Sequence, residues 1–185
     1  MLAHLVMIPP LLDAVRARVR DVPDFPKPGI VFKDLTPVLA DPLLFHGVVS
    51  ALAARVAALE ITEVVGIEAR GFILGGALAA TLRRGFVPVR KPGRLPRRSL
   101  RETYGLEYGT DVLEVHADAL VKNARVLVVD DLLATGGTAA ATERLVKRAG
   151  GTVVAFAFLI ELAYLKGAER IGAERVVSLL RYETP

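Results

Sequence analysis

Between residues 44 and 59 the apolar side chains Leu44, Val48, Leu52, Val56 and Leu59 recur every three or four positions, which places them on one face of an α-helix. Asp41 and Pro42 supply an N-cap and a first-turn proline, so a helix is predicted over 41–60. The period then changes. "EVVGI" (63–67) reads as a short buried strand, "GFILGGALAATLRRG" (71–85) as a helix ended by Gly85, and "FVPVRK" (86–91) as a second strand, together a β-α-β unit. Further on come a strand near Leu113 to His116, the strand "ARVLVVD" (124–130), and a helix from about Thr138 to Ala149 stopped by Gly150 and Gly151. The strand "TVVAFAFLI" (152–160), a short helix around 163–171 and the strand "RVVSLL" (175–180) complete the series. Strands that are apolar at consecutive positions are buried on both faces, so the fold class is α/β, a mainly parallel twisted sheet flanked by helices. Ligands of such sheets bind beyond the carboxyl ends of the strands.

Two stretches lack this rhythm. Residues 92–110, "PGRLPRRSLRETYGLEYGT", carry Arg94, Arg97, Arg98 and Arg101, two prolines and few large aliphatics; a segment of that length without periodicity in a compact domain reads as a functional lid or a loop. The first twenty residues look peripheral, with a short amphipathic helix from Leu11 to Arg20.

With 185 residues, 52% of them hydrophobic and 24% charged, the chain is one ordered domain. Its lack of cysteine excludes disulfides, thiolate catalysis and iron–sulfur clusters and suits a cytoplasmic location. The longest apolar run, Val153 to Ile160, is too short to span a bilayer, and the apolar start lacks a basic region and a cleavage site, so neither membrane segment nor export signal is expected. The net charge of +4 fits a nucleic acid or a polyphosphorylated small molecule equally well. His4, His46 and His116 show no ligand spacing and read as structural.

The chemistry gathers in "VLVVDDLLATGGT" (126–138). A strand ends in Asp130 and Asp131, and the following loop runs into a helix whose free N–H groups favour an anion. Gly136 and Gly137 let a phosphate approach the backbone, and the hydroxyls of Thr135 and Thr138 add donors. The lysine of a nucleoside-triphosphate loop and the glycine spacing of a dinucleotide loop are both missing, so a phosphate monoester suffices. Two adjacent carboxylates then suit a vicinal diol, and phosphate with diol spells ribose 5-phosphate. At the end of strand 63–67, Arg70 and the N–H groups of the tight turn Glu68–Ala69–Arg70–Gly71 can hold a diphosphate, with Arg90 and Lys91 adding positive charge at a neighbouring strand end.

This block resembles the phosphoribosyl pyrophosphate signature of the type I phosphoribosyltransferases, and its "LLATGGT" form (132–138) resembles members whose acceptor base is adenine. The resemblance runs from Asp24 onward. "DFPKPGIVFKDLTPVLADP" (24–42) is similar to the base-binding hood and "GIEARGF" (66–72) to the pyrophosphate loop. "RKPGRLP" (90–96) and "YGLEYG" (104–109) are similar to a flexible catalytic lid, and "ELAYLKG" (161–167) to a C-terminal base contact.

The resemblance implies one phosphoribosyltransferase domain over 1–185, with an N-terminal segment and hood over about 1–40. The implied reaction converts adenine and 5-phospho-α-D-ribose 1-diphosphate into AMP and diphosphate. Asp130, Asp131, Ala134, Thr135, Gly136, Gly137 and Thr138 would hold the ribose and 5-phosphate, and Glu68, Ala69, Arg70, Gly71, Arg90, Lys91 and Arg94 the diphosphate. Phe32 and Leu162 would sandwich adenine, with the backbone of Val31 and Lys33 reading its edge. Glu107 would be the general acid/base, Tyr104 would help close the lid, and Mg²⁺ would ride on the diphosphate without a protein ligand cluster of its own. A homodimer follows if a residue such as Arg90 reaches the neighbouring subunit's site, with no nucleic-acid or membrane partner. Two other readings stay open: a different acceptor base (xanthine, hypoxanthine, guanine or orotate), or a non-catalytic regulator that binds the sugar diphosphate.

Overall fold

The computed structural model describes residues 8–105 and 110–185, with side chains described from residue 11 onward. Among the described residues the central sheet has five strands, all parallel: β3 (Glu63–Ile67), β4 (Gly85–Val89), β7 (Arg125–Leu133), β8 (Thr152–Leu162) and β9 (Val176–Tyr182), in the order β4-β3-β7-β8-β9. Two antiparallel hairpins stand outside it. One pairs β1 (Arg20–Pro23) with β2 (Val31–Asp34), and the other pairs β5 (Ser99–Gly105) with β6 (Thr110–His116).

Helices cover both faces. Helices α1 (Ile8–Arg18), α2 (Thr36–Leu39), α3 (Pro42–Val56) and α4 (Arg70–Leu82) pack on one side, where Val15, Leu52, Leu74, Leu127 and Val129 are buried. Helix α5 (Gly137–Arg148), the short α6 (Gly167–Ile171) and the β5–β6 hairpin cover the other, over Val65, Val126, Val128, Leu145 and Phe156. Strand β7 therefore sends alternate apolar residues into both cores, which explains its unbroken hydrophobic run. Each fully buried Leu or Val there contributes about 1.5–3 kcal/mol.

Asp41 caps α3 as its sequence implies, its Oδ1 accepting from the N–H groups of Leu43 at 3.0 Å and Leu44 at 3.1 Å. That helix stops at Val56, short of residue 60. Helix α4 ends at Arg83, which takes the left-handed conformation (φ 55°), whereas Gly85, expected to stop it, opens β4. Its close seat on β3 depends on Gly66 and Gly75: a Cβ on either would meet the ring of Phe86 at 2.6 Å and 2.9 Å respectively.

Two expectations need correction. The 92–110 segment is not an irregular loop throughout, since its residues 99–105 form β5, which pairs with β6 in register from Ser99↔His116 to Gly105↔Thr110. Nor is the N-terminal helix peripheral. Val15 is fully buried, Leu11 fills the space beside Gly47, and Arg16 donates to the Arg181 carbonyl on the outer edge of β9 at 3.4 Å. Arg55 donates to the Ser178 carbonyl of the same strand. At the opposite edge of the sheet, β4 carries Pro88, which has no N–H to offer.

Candidate active site

The carboxyl ends of β3, β4, β7 and β8 converge on one region, and the sequence-marked residues are distributed around it. The loop from β7 into α5 surrounds a cavity of about 80 Å³ lined by Asp130, Ala134, Thr135, Gly136, Gly137 and Thr138, among others. Gly136 has a left-handed backbone (φ 74°), and a Cβ there would lie 2.6 Å from the Gly167 carbonyl oxygen. Its missing side chain thus lets the loop sit against the start of α6, a role separate from admitting a phosphate. Gly137 has only ordinary contacts at 3.5 Å or more around a Cβ position.

Asp130, which lines this cavity, and Asp131 are adjacent on β7. The Asp131 N–H donates to Asp130 Oδ1 at 2.9 Å, and the carboxylate of Asp131, 5% exposed, pairs with the Arg70 guanidinium. Burial raises the Asp130 carboxyl well above the usual carboxylate range, and the neighbouring charge of Asp131 raises it further. Gly71 brings the first turn of α4 against this strand, because a Cβ on it would meet Asp130 Oδ1 and the Val129 carbonyl oxygen, each at 2.8 Å.

The turn between β3 and α4 contains a cis Glu68–Ala69 peptide. Glu68, itself an anion, organises the cations around that turn: it accepts from Arg90 at 3.0 and 3.3 Å and from the Lys91 N–H at 2.9 Å, and lies 3.8 Å from Arg94. Burial opposes its charge, but Arg90 and the Lys91 N–H outweigh it and hold its carboxyl below the usual range. The Arg70 guanidinium lies over the Phe32 ring, 5.2 Å from the centroid, and pairs with Asp131, apart from the cations gathered on Glu68. The Lys91 ammonium also leaves the Glu68 cluster and pairs with Asp111.

A second, larger cleft of about 400 Å³ is walled by Phe32, Leu132, Leu162 and Tyr164. Phe32 is held edge-to-face by Phe25 at 5.1 Å. Val31 and Lys33 lie on its rim, and the Lys33 side chain points elsewhere: its buried ammonium pairs with Asp21 at 2.9 Å and sits 4.8 Å from the centre of the Tyr182 ring. This leaves the Lys33 backbone for the cleft. The two cavities share Leu132, Ala134 and Thr135, so a planar group in one and an anion in the other would be separated by a single rim.

Tyr104 is buried, and its hydroxyl donates to Asp111 at 3.0 Å and accepts from Thr138 Oγ1 at 3.3 Å. It fastens the hairpin to α5, helped by Glu102, which accepts from Arg144 at 2.5 Å and Arg148 at 3.0 Å. Glu107 lies outside the described residues. Among the described residues no group of three or more His, Asp or Glu could hold a metal ion, and no helix is long and apolar enough to cross a membrane. Asp111 and Glu114 had no sequence signal; Glu114, 1% exposed, holds the basic turn by accepting from the Gly93 N–H at 3.1 Å.

Comparison with known proteins gives this arrangement its family. The model of the phosphoribosyl transferase domain matches residues 35–180. The chain is 59% identical over 172 residues to an adenine phosphoribosyltransferase of Myxococcus xanthus, covering 93% of this chain and 94% of the relative. It is 57% identical to that of an Anaeromyxobacter species, covering 92% and 97%. Among solved structures it resembles adenine phosphoribosyltransferase from Rhodothermus marinus, with a TM-score of 0.89 and 55% identity over 94% of this chain and 99% of that one. The Saccharomyces cerevisiae enzyme, solved with an imino-altritol bisphosphate and adenine, matches with a TM-score of 0.87 and 37% identity, over 93% and 99%.

Proposed function

The chain belongs to the phosphoribosyl transferase family, and from that premise we propose how its residues perform one reaction. It transfers the 5-phosphoribosyl group of 5-phospho-α-D-ribose 1-diphosphate to adenine, giving AMP and diphosphate in purine salvage. The bond from C1 of the ribose to the diphosphate oxygen breaks, and a bond from C1 to N9 of adenine forms. The proton that N9 loses goes to a base, the role proposed for Glu107.

The observation that supports this reading is the rim of Leu132, Ala134 and Thr135 shared by an apolar cleft of about 400 Å³ and the glycine-rich loop cavity, with Asp130 lining the loop cavity and Arg70, the partner of Asp131, lining the cleft. Base, ribose and phosphate would find complementary surfaces in the order in which AMP joins them. Phe32 and Leu162 would stack on the purine, with the backbone of Val31 and Lys33 meeting its polar edge. The two aspartates would accept from the ribose hydroxyls, displacing Arg70 from Asp131, and residues 134–138 would donate to the 5-phosphate. Arg90, Lys91 and Arg94, with the N–H groups of residues 69–71, would neutralise the departing diphosphate, while Glu68 keeps Arg90 and Arg94 aimed at the turn. Displacement at C1 builds positive charge on the ring, which the aspartates favour. Catalysis is then mainly positioning and electrostatics.

Mg²⁺ suits this donor set as a passenger. Glu68 is engaged by Arg90 and the Lys91 N–H, and the ion would be held chiefly by diphosphate oxygens. When bound it supplies further neutralisation of the leaving group. Assembly as a homodimer is supported by Ile73 on α4 and Phe86 on β4, 46% and 36% exposed, on the flank of the sheet that leads into Arg90. The cysteine-free composition supports a cytoplasmic location.

Incubation of the protein with the labelled phosphoribosyl donor, Mg²⁺ and each base in turn tests the proposal. AMP from adenine, well ahead of nucleotide from hypoxanthine, guanine, xanthine or orotate, is the expected result. Preference for another base would overturn the acceptor assignment, and no nucleotide from any base would favour a regulator.

A further inference from the structure

Asp111 has no role in the scheme above, yet its carboxylate is where three parts of the site meet. It is the cross-strand partner of Tyr104 in the β5–β6 hairpin. Its Oδ2 accepts from the Tyr104 hydroxyl at 3.0 Å and pairs with the Lys91 ammonium, while Oδ1 accepts from the Val112 N–H at 2.8 Å. Across Tyr104, whose oxygen accepts from Thr138 Oγ1 at 3.3 Å, the network reaches the first turn of α5. The Tyr104 ring lies 3.6 Å from where a Gly137 Cβ would stand, so hairpin and phosphate loop are also in direct contact. Burial disfavours the charge on Asp111, but the Lys91 ammonium, the Val112 N–H and the Tyr104 hydroxyl together hold its carboxyl below the usual range. Both members of the Lys91–Asp111 pair are therefore ionised near neutral pH.

We propose that Asp111 is a positioning residue for phosphoribosyl transfer, holding the Lys91 ammonium between the diphosphate turn and the hairpin and tying the hairpin, through Tyr104, to the 5-phosphate loop. The inference rests on the reading of Lys91 and Thr138 as contacts to the two phosphate ends of the donor. A diphosphate that engages Lys91 draws on one partner of Asp111, and a 5-phosphate that engages the Thr138 hydroxyl draws on one partner of Tyr104. Both ends of the donor thus act on the same two residues, which flank the 106–109 segment that contains Glu107. An amide at position 111 keeps an acceptor for Tyr104 but loses the charge that holds the ammonium.

The test compares wild type, Asp111→Asn, Lys91→Ala and the double variant in steady-state AMP formation with saturating adenine and Mg²⁺. Residues that act as one unit give non-additive losses. Asp111→Asn is expected to lower kcat/KM for the phosphoribosyl donor about tenfold in the wild-type background and no more than about twofold in the Lys91→Ala background. The KM for adenine should stay at its wild-type value. An equal loss in both backgrounds, or no loss from Asp111→Asn, overturns the proposal. If Asp111→Asn folds poorly, Tyr104→Phe probes the network from its other end by deleting only the hydroxyl; unchanged kcat/KM for the donor in that variant overturns it too. An inactive wild type would sink the reading of the site itself, whereas an active wild type with an unaffected Asp111→Asn sinks only this inference.

Discussion

Replacing Gly136 by alanine should injure the fold, while the same change at its neighbour Gly137 should not. At 136 an added methyl would sit 2.6 Å from the Gly167 carbonyl oxygen and 3.2 Å from the Gly167 Cα. Both obstacles are backbone, so no side chain can rotate aside. The left-handed φ of 74° costs a residue with a Cβ about 1–2 kcal/mol, and forcing the loop away from α6 adds about 1–3 kcal/mol. The sum, about 2–5 kcal/mol, corresponds to a fall in melting temperature of about 4–20 °C for a chain of this size. At 137 the nearest atoms to a Cβ are 3.5 to 3.7 Å away, an ordinary contact distance, and alanine is favoured over glycine inside a helix by about 1 kcal/mol. Gly137→Ala should therefore melt no lower than wild type. Thermal unfolding of the three ligand-free proteins by calorimetry decides the matter. A Gly136→Ala melting temperature within about 2 °C of wild type, or an equal fall in both variants, would refute the assignment of Gly136 to packing against α6.

Other consequences are as direct. Because the Asp130 carboxyl is raised in the fold, it keeps its proton to a higher pH than in the unfolded chain, and stability falls as pH rises from the ordinary carboxylate range through that raised value. Asp130→Asn, neutral throughout, should melt above wild type at about pH 8 with the gap closing towards about pH 4; no gain at the higher pH would contradict this. Phe32→Ala should raise the KM for adenine about ten- to a hundredfold, as lost stacking on a base does, with the donor KM little changed; equal changes in both constants would argue against Phe32 as a wall of the base cleft. Glu68→Ala, which strips Arg90 of its carboxylate, should cost about 2 kcal/mol in unfolding free energy. Since the Glu68 carboxyl is held low, that loss should be complete above the ordinary carboxylate range and disappear as pH falls through the depressed value, a trend that melting curves against pH would show or deny.

What could be read in advance depended on whether the relevant residues are neighbours along the chain. The segment from Val126 to Thr138 carries its strand, aspartates and glycine turn in one stretch, so both its structure and its chemistry were legible. The strand 63–67 was equally plain because all five of its residues are apolar or end-capping. The strand near Leu113 to His116 was legible as part of β6, but its partner β5 was not, because its inward positions are Leu100, Glu102 and Tyr104, and the charge in the middle hides a period of two that Arg144 and Arg148 satisfy from α5. The end of α4 was displaced because Arg83 takes a conformation that sequence rules reserve for glycine or asparagine. In the site, the pairs Arg90–Glu68 and Lys91–Asp111 lie 22 and 20 residues apart, and Arg70–Asp131 61 apart. Only the folded sheet brings such partners together, which is why these pairs are not legible along the chain and Asp111 was given no role.

The two margins of the central sheet are sealed by different means. At β9 the outward carbonyls of Ser178 and Arg181 are occupied by Arg55 and Arg16, and at β4 Pro88 interrupts the row of donors. A foreign strand finds no continuous ladder to zip onto at either margin, so runaway cross-β growth is blocked even though β7 and β8 are as apolar as aggregation-prone segments elsewhere. The N-terminal helix, through the single guanidinium of Arg16, thereby serves as a guard against misassembly, and its removal should be felt first as a loss of solubility at high concentration.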